Sequence, residues 1–189
     1  MKAKHPDYHA RPVPAFGDAH PRLLIVGLAP GMHGANRSGR PFTGDFAGIL
    51  LYQSLFDLGW ASAPASEHVG DGLKLHGVRI SNAVKCLPPQ NKPETSEIIQ
   101  CNGFLKNEIE ALPPGCNLLA LGKIAHDAVL RAYGLKLSAL KFGHAARHVL
   151  PDGRRLTDSY HCSRYNTQTK RLTEAMFKDA LKQAGDSTT

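Results

Sequence analysis

The feature that most constrains the fold is a fourfold alternation of short apolar runs and helical segments. The first run places four adjacent aliphatic side chains between proline and glycine, which is typical of a strand buried in a parallel sheet. The predicted strands lie within residues 22–31, 76–84, 116–122 and 154–161, and the predicted helices within residues 46–60, 92–113, 123–134 and 173–185. Alternating strands and helices predict an α/β fold, a three-layer α/β/α sandwich with a central four-stranded parallel sheet.

The length and charge of the chain narrow the function classes. The 189 residues suit one domain, which we place at residues 22–185 behind an N-terminal arm, residues 1–21. No apolar run approaches the roughly 18 residues that span a bilayer, and the N-terminus lacks the apolar segment of a secretory signal. Lys and Arg outnumber Asp and Glu by 23 to 16. The sequence predicts a cytoplasmic monomer without a membrane partner, and its net charge of +7 favours a polyanionic partner.

The connection after the first predicted strand, GLAPGMHGANRSGRPFTGD, is unusually rich in glycine. Glycine lets backbone amides approach a ligand closely, so this connection predicts a backbone-lined pocket, although a long flexible loop is the simpler alternative. A Walker phosphate loop is excluded because no Gly-Lys-Ser/Thr follows, and the glycine spacing of a dinucleotide site is absent. The side chains expected at this pocket are those of His33, Asn36, Arg40, Phe42 and Asp45.

Phe42 and Asp45 each have a structural and a functional interpretation. Phe42 lies in a polar loop, where it either packs in the core or forms a stacking platform for a planar ligand. Asp45 directly precedes a predicted helix, so it either caps that helix or points a carboxylate into the crevice. The residues alone leave these alternatives open.

The segment after the last predicted strand, HCSRYNTQTKR, combines a histidine with many hydrogen-bond donors. His161 lies at the tip of the strand, and Tyr165 among the donors could act as a wedge or stacking group. The donors are Arg164, Asn166, Thr167, Gln168, Thr169, Lys170 and Arg171. Such a set suits phosphate groups, although a solvated loop would have a similar composition.

A third polar segment, NAVKCLPPQNKP, straddles the end of the second predicted strand. In parallel α/β sheets the ligand crevice lies beyond the carboxyl ends of the strands. We therefore expect the three polar segments to meet at one rim of the sheet.

In their order and length, the three segments closely resemble those of the family 5 (type B) uracil-DNA glycosylases. The resemblance extends from about Arg11 to Phe177. It implies the α/β/α sandwich of the uracil-DNA glycosylase superfamily, with DNA as the partner. The implied activity is hydrolysis of the N-glycosidic bond of deaminated bases in base excision repair: uracil first, and also hypoxanthine and xanthine.

The resemblance also implies roles for individual residues. Asp45 in GRPFTGD would position the attacking water or stabilise the cationic sugar, and Phe42 would stack on the flipped base. His161 in YHCSR would hydrogen-bond the uracil O2. The implied substrate contacts are Gly27, Asn82, Asn91 and Asn166, and the implied DNA contacts are His33, Asn36, Arg37, Arg164, Tyr165 and Thr167. The motif GLAPG has no acidic or amide side chain, which is the type B pattern, so the resemblance implies that Asp45 supplies the catalytic carboxylate.

Members of families 4 and 5 typically hold a [4Fe–4S] cluster with four cysteines, so the resemblance implies this cofactor in the full-length protein. Cys86 and Cys101 match two of its ligands. The N-terminal pair of the family pattern has no counterpart in the sequence, so we expect the chain as written not to carry the cluster. Cys116 is expected in the core, and Cys162 has no expected ligand role.

Two alternative function classes are compatible with the fold. A catalytically silent DNA-binding or damage-sensing module would bind DNA without releasing a base. A small-molecule enzyme acting on nucleosides would leave the basic segment after the last strand without a role.

Overall fold

The computed structural model describes residues 5–89 and 92–186. Within these residues one six-stranded sheet is formed by β1 (Phe16–Gly17), β2 (Leu23–Gly27), β3 (Val78–Asn82), β4 (Asn117–Leu121), β5 (Arg147–Val149) and β6 (Arg155–Ser159). The helices are α1 (Ala35–Ser38), α2 (Phe46–Asp57), α3 (Thr95–Glu110), α4 (Lys123–Ala132), α5 (Arg164–Gln168) and α6 (Glu174–Gly185). The strand order is β1-β3-β2-β4-β6-β5.

The four central strands are parallel, and both edge strands are antiparallel to their neighbours. The predicted α/β class and the central parallel sheet are thus confirmed. The sequence analysis did not predict β1 and β5, because strands of two and three residues are too short to show an alternation of apolar and polar side chains.

Strand β2 explains why helices cover both faces of the sheet. Successive strand side chains point to opposite faces. Leu23 and Ile25 enter one core cluster with residues of α2 and α6, whereas Leu24 and Val26 enter the other with residues of α3 and α4. All five residues of β2 are buried, as expected for a central strand of a three-layer domain.

The register of the parallel strands brings their carboxyl ends together. Gly27, the last residue of β2, pairs with Asn82, the last residue of β3. Strand β6 ends at Ser159 on the same edge, two residues before His161. The three polar segments therefore leave the sheet at one rim, as predicted.

The predicted irregular arm contains β1 and is attached to the loops of this rim. The backbone N–H groups of His9 and Ala10 donate to the carbonyl oxygens of Arg37 and Asn36, each at 3.0 Å. Val13 is buried, and its N–H donates to the carbonyl of Lys85 at 2.8 Å. The arm thus contacts the loops that follow both β2 and β3.

The segment of residues 61–72 holds the glycine-rich connection in place. The guanidinium of Arg40 is 4% exposed and pairs with the carboxylate of Asp71 at 2.8 Å. Thr43 and Ser66 share a hydroxyl hydrogen bond of 2.7 Å. Arg40, expected at the pocket, is therefore committed to a buried ion pair instead.

Among the described helices, none combines the length and the apolar character needed to cross a membrane.

We expect Asp71→Ala to destabilise the fold by about 3 kcal/mol, because it leaves the Arg40 guanidinium buried without a counter-charge. Urea unfolding followed by circular dichroism measures the loss. Glu110→Ala is the matched control, since Glu110 pairs with Lys106 at 3.8 Å on the exposed surface and such pairs contribute at most about 0.5 kcal/mol. Equal, small losses in both variants would show that the buried pair does not hold the connection.

Candidate active site

Phe42 occupies a strained position at the rim of the sheet. Its backbone adopts a left-handed conformation with φ of 56°, which is uncommon for a bulky side chain. The ring is 6% exposed and lies nearly parallel to the His161 ring, with centroids 6.1 Å apart and planes inclined by 27°. The hydroxyl of Tyr52 donates to the carbonyl of Pro41 at 2.7 Å and so fixes the backbone beside it. The structure therefore presents an aromatic face that is held rigidly.

The position directly beneath the Phe42 ring, residue 27, has room only for glycine. A Cβ atom at Gly27 would lie 2.6 Å from two carbons of the Phe42 ring and would also collide with the amide oxygen of Asn82. Asn82 is 4% exposed. The absence of a side chain at Gly27 therefore lets the Phe42 ring and the Asn82 amide approach the same point.

Asp45 both caps a helix and lines the cavity, so the two alternatives left open by the sequence apply together. It is the N-cap of α2, and its Oδ1 accepts a hydrogen bond from the N–H of Gly48 at 3.1 Å. Its Oδ2 faces the glycine-rich connection, where a Cβ at Gly34 would lie 2.7 Å away. Burial raises the pKa of this carboxyl above its ordinary value, and the Gly48 hydrogen bond only partly offsets that effect.

His161 approaches the same region from the end of β6. The side-chain amide of Asn166 donates to the carbonyl of His161 at 2.8 Å, which fixes the backbone there. Burial lowers the pKa of the imidazole to about 4, because desolvation disfavours its charged form. The ring is therefore neutral near pH 7 and can donate one hydrogen bond.

These side chains line one cavity of about 510 Å³. Among its lining residues are Leu28, Phe42, Asp45, Phe46, Asn82 and His161. The volume falls in the range of small-molecule pockets and suits one planar heterocycle with its sugar. Asp45, Phe42, Asn82 and His161 are thus brought together as predicted from three separate segments.

Phe46 is a lining residue that the sequence analysis missed. The guanidinium carbon of Arg164 lies 4.9 Å from the centre of its ring, so the pair forms one side of the cavity. Phe46 reads as the first residue of an amphipathic helix, and nothing in its sequence context distinguishes it from the core residues of that helix.

The residues expected to contact DNA divide into two groups. His33, Arg37, Arg164 and Tyr165 are exposed at the rim, and Tyr165 is 71% exposed.

Asn36 and Thr167 instead form contacts within their own loops. Asn36 is 3% exposed and donates to the carbonyl of Met32, and the half-buried hydroxyl of Thr167 bonds to the carbonyls of Ser163 and Arg164. Asn91 lies outside the described residues.

The cysteines provide an incomplete set of cluster ligands. The side chain of Cys86 is largely exposed and that of Cys101 is half-buried. Partial desolvation of the Cys86 thiol and the proximity of Cys101 raise the pKa of Cys86. Cys116 and Cys162 are buried in the core clusters on opposite faces of the sheet. A [4Fe–4S] cluster needs four ligands, so the cysteines of the described residues do not form a complete site.

Comparisons with known proteins agree with this geometry. The family described as "Uracil DNA glycosylase superfamily" matches residues 14–185. The chain belongs to that superfamily. A type-5 uracil-DNA glycosylase of Thermus thermophilus is 50% identical over 177 residues, covering 94% of this chain and 80% of the relative. A type-5 uracil-DNA glycosylase of Pyrobaculum aerophilum is 41% identical, covering 94% and 76%.

Type-4 relatives match less of the chain. A type-4 uracil-DNA glycosylase of Saccharolobus solfataricus is 29% identical over 141 residues, covering 74% of this chain and 58% of the relative. Within the superfamily, this chain is therefore a member of the type-5 family, as the three polar segments indicated.

We expect the His161 ring to stay neutral from about pH 8 to pH 5.5 and to titrate only near pH 4. NMR of protein labelled with ¹⁵N-histidine, assigned with His161→Gln, measures its midpoint. Because the unfolded chain takes up this proton first, His161 also makes the fold less stable as the pH falls from about 6.5 towards 4. A midpoint near 6.5 would show that the ring is solvated, contrary to the structure.

Proposed function

We propose that this superfamily member is a DNA glycosylase that excises uracil by hydrolysing the N-glycosidic bond. The observation that carries the proposal is the convergence of Phe42, Asp45, Asn82 and His161 on one cavity. The names of the type-5 relatives support the same activity.

The base side of the cavity suits a uracil that has left the DNA duplex. Phe42 stacks on the base, and the amide of Asn82 hydrogen-bonds its polar edge. As the bond breaks, negative charge gathers on the base. The neutral His161 imidazole donates a hydrogen bond to O2 and stabilises that charge without transferring a proton. Gly27 supports this pocket through the space it leaves for Phe42 and Asn82.

The sugar side is served by Asp45. As the base departs, positive charge develops on the sugar, and the ionised carboxylate stabilises it or positions the attacking water. The raised pKa of Asp45 makes its carboxylate a stronger base towards that water than an exposed aspartate would be. The hydrogen bond from Gly48 to Oδ1 leaves Oδ2 on the side of the glycine-rich connection.

The rim of the cavity is suited to hold the DNA strand. The exposed side chains of His33, Arg37 and Arg164 contact phosphates, and Tyr165 enters the space vacated by the flipped nucleotide. Asn36, Thr167 and Asn166 contribute by shaping the loops that carry these groups. The net charge of +7 supports binding that is independent of sequence and weakened by salt.

The proposal also covers the cellular setting of the enzyme, the extent of its domain and its further substrates. The enzyme acts in base excision repair as a cytoplasmic monomer. Its catalytic domain spans residues 22–185, and Asn91 is a further residue proposed to bind the substrate. Hypoxanthine and xanthine are further substrates, because stacking on Phe42 and donors around a planar base do not restrict the pocket to pyrimidines.

Cys86 and Cys101 are proposed as two ligands of a [4Fe–4S] cluster. Their thiols lie close enough to interact electrostatically, which supports the pairing. When bound, the cluster would tie the segment after β3 to α3. Iron and acid-labile sulfide measured on the native protein test this assignment, and a protein free of both would contradict it.

We expect Asp45→Asn to slow uracil release by about 100- to 1,000-fold, because the carboxylate charge is lost. Asparagine is an equally good N-cap, so the stability of α2 is retained and the effect on chemistry is isolated. Single-turnover assays on a uracil-containing oligonucleotide measure the rate, and fluorescence anisotropy confirms DNA binding.

Asp57→Asn, an exposed substitution on the same helix, is the control and leaves the rate unchanged. If Asp45→Asn retains the full rate, the assigned role of Asp45 is wrong. If the unmodified protein binds DNA but releases no base, the protein is a silent binding module.

We expect the unmodified protein to release uracil, hypoxanthine and xanthine from otherwise identical oligonucleotides, with uracil released fastest. Phe42→Leu lowers all three rates, because it removes the aromatic face that the bases share. Product chromatography after timed incubation measures the three rates. A loss confined to uracil would show that the purines are recognised elsewhere.

A further inference from the structure

Beside the catalytic rim lies a cluster of His126, His148 and Asp158, to which the proposed reaction assigns no role. His126 is in α4, His148 in β5 and Asp158 in β6. The side chains of His126 and Asp158 are at most 1% exposed, and that of His148 is 13% exposed. The three elements are thus joined by polar side chains inside the protein.

The hydrogen-bond partners of His126 require one further proton or a metal ion at this cluster. Its Nδ1 lies 2.8 Å from Oδ1 of Asp158, and its Nε2 lies 3.1 Å from the carbonyl oxygen of Leu140. Both partners are acceptors. A neutral imidazole has only one N–H, so the contact between Nδ1 and Asp158 needs either a further proton, on the ring or on the carboxyl, or a metal ion bound by both groups.

The geometry suits a metal ion. One nitrogen of each histidine and one oxygen of Asp158 lie within 4.8 Å of one another. Nε2 of His148 is 3.2 Å from Oδ2 of Asp158, and the two imidazole rings are inclined by 68° with centroids 5.5 Å apart. Two ligand atoms that each lie about 2.0–2.2 Å from a tetrahedral zinc ion are about 3.4 Å apart, so the ring of His126 and the carboxylate of Asp158 would move slightly apart to admit the ion.

The surroundings of the cluster match those of metal-binding histidines. Such a histidine usually donates its second ring N–H to a carbonyl or carboxylate, which fixes the tautomer. The carbonyl of Leu140 accepts from Nε2 of His126 in this way and leaves Nδ1 for the ion. The partial exposure of His148 on the edge strand β5 gives an ion access from solvent.

We propose that His126, His148 and Asp158 bind a divalent transition-metal ion of the Zn²⁺ type, with one open coordination position. Two imidazoles and one carboxylate are typical ligands for this class of ion.

The proposed metal site is separated from the cavity beside His161 by the side chain of Phe142. The Phe142 ring packs edge-on against His126, with centroids 5.7 Å apart. Phe142 also lines, with Tyr160 and His161, a cavity of about 320 Å³ next to the uracil pocket. The bound ion would therefore tie α4 to β5 and β6 beside the segment that holds Phe142.

Binding of Co²⁺ as a spectroscopic probe tests the proposal. The titration uses protein with Cys86→Ser and Cys101→Ser, so that thiolates do not contribute. We expect one Co²⁺ per chain with visible d–d bands, displacement by Zn²⁺, and a thermal midpoint raised by Zn²⁺. Adding His148→Gln, at an edge-strand position, weakens Co²⁺ binding at least about 10-fold and abolishes the Zn²⁺-dependent thermal shift. Adding His76→Gln, an exposed histidine outside the cluster, changes neither.

Two results would overturn the proposal. Absence of stoichiometric Co²⁺ binding would show that a proton, and not an ion, links His126 to Asp158, and NMR signals for both ring N–H groups of His126 would place that proton on the ring. Co²⁺ binding unchanged by His148→Gln would place the ion elsewhere. Asp158→Asn, with folding checked by circular dichroism, provides a second ligand deletion that must also weaken Co²⁺ binding.

Discussion

The close contact between the Phe42 ring and Gly27 is the constraint on which the rest of the site depends. It places an aromatic face at the carboxyl end of β2, where Asn82 arrives from the paired strand β3. Phe42 reaches this position only through a left-handed backbone, a conformation that costs of the order of 1–3 kcal/mol. Neighbouring contacts offset that cost, above all the hydrogen bond from Tyr52 to the Pro41 carbonyl. The absence of a side chain at Gly48 allows the Phe42 carbonyl to approach the start of α2.

Burial in this cavity shifts the pKa values of its two ionisable groups in opposite directions. Burial raises the pKa of Asp45 and lowers that of His161, because in each case it disfavours the charged form. Near pH 7 the cavity then holds a carboxylate of raised basicity and a neutral imidazole. That combination matches a reaction in which positive charge develops on the sugar and negative charge on the base. In the proposed reaction, one physical cause would thus act at both ends of the bond to be broken.

The central strands carry a clearer signal in the sequence than the peripheral elements do. The runs of β2 and β4 are wholly buried and continuous, so they are recognisable without tertiary information. The edge strand β5 has three residues and no buried alternation, and it forms only because β6 is available for pairing. Arg40 was expected at the pocket because it shares a loop with Phe42. It turns instead to Asp71, a partner 31 positions away that no local pattern identifies.

The sequence by itself determined the order along the chain of the four central strands and the helices between them. That order also determined that the three polar segments meet at one rim. This holds because parallel strands with helical crossovers have their carboxyl ends on the same edge. It also predicted that Phe42, Asp45 and His161, which belong to continuous motifs, lie at this rim, where all three line one cavity. Only the tertiary structure decided which buried charges pair, as in Arg40 with Asp71 and in the cluster of His126, His148 and Asp158. Those contacts join residues from different elements, and they depend on strand register and helix packing at distances of a few ångströms, which no spacing along the chain encodes.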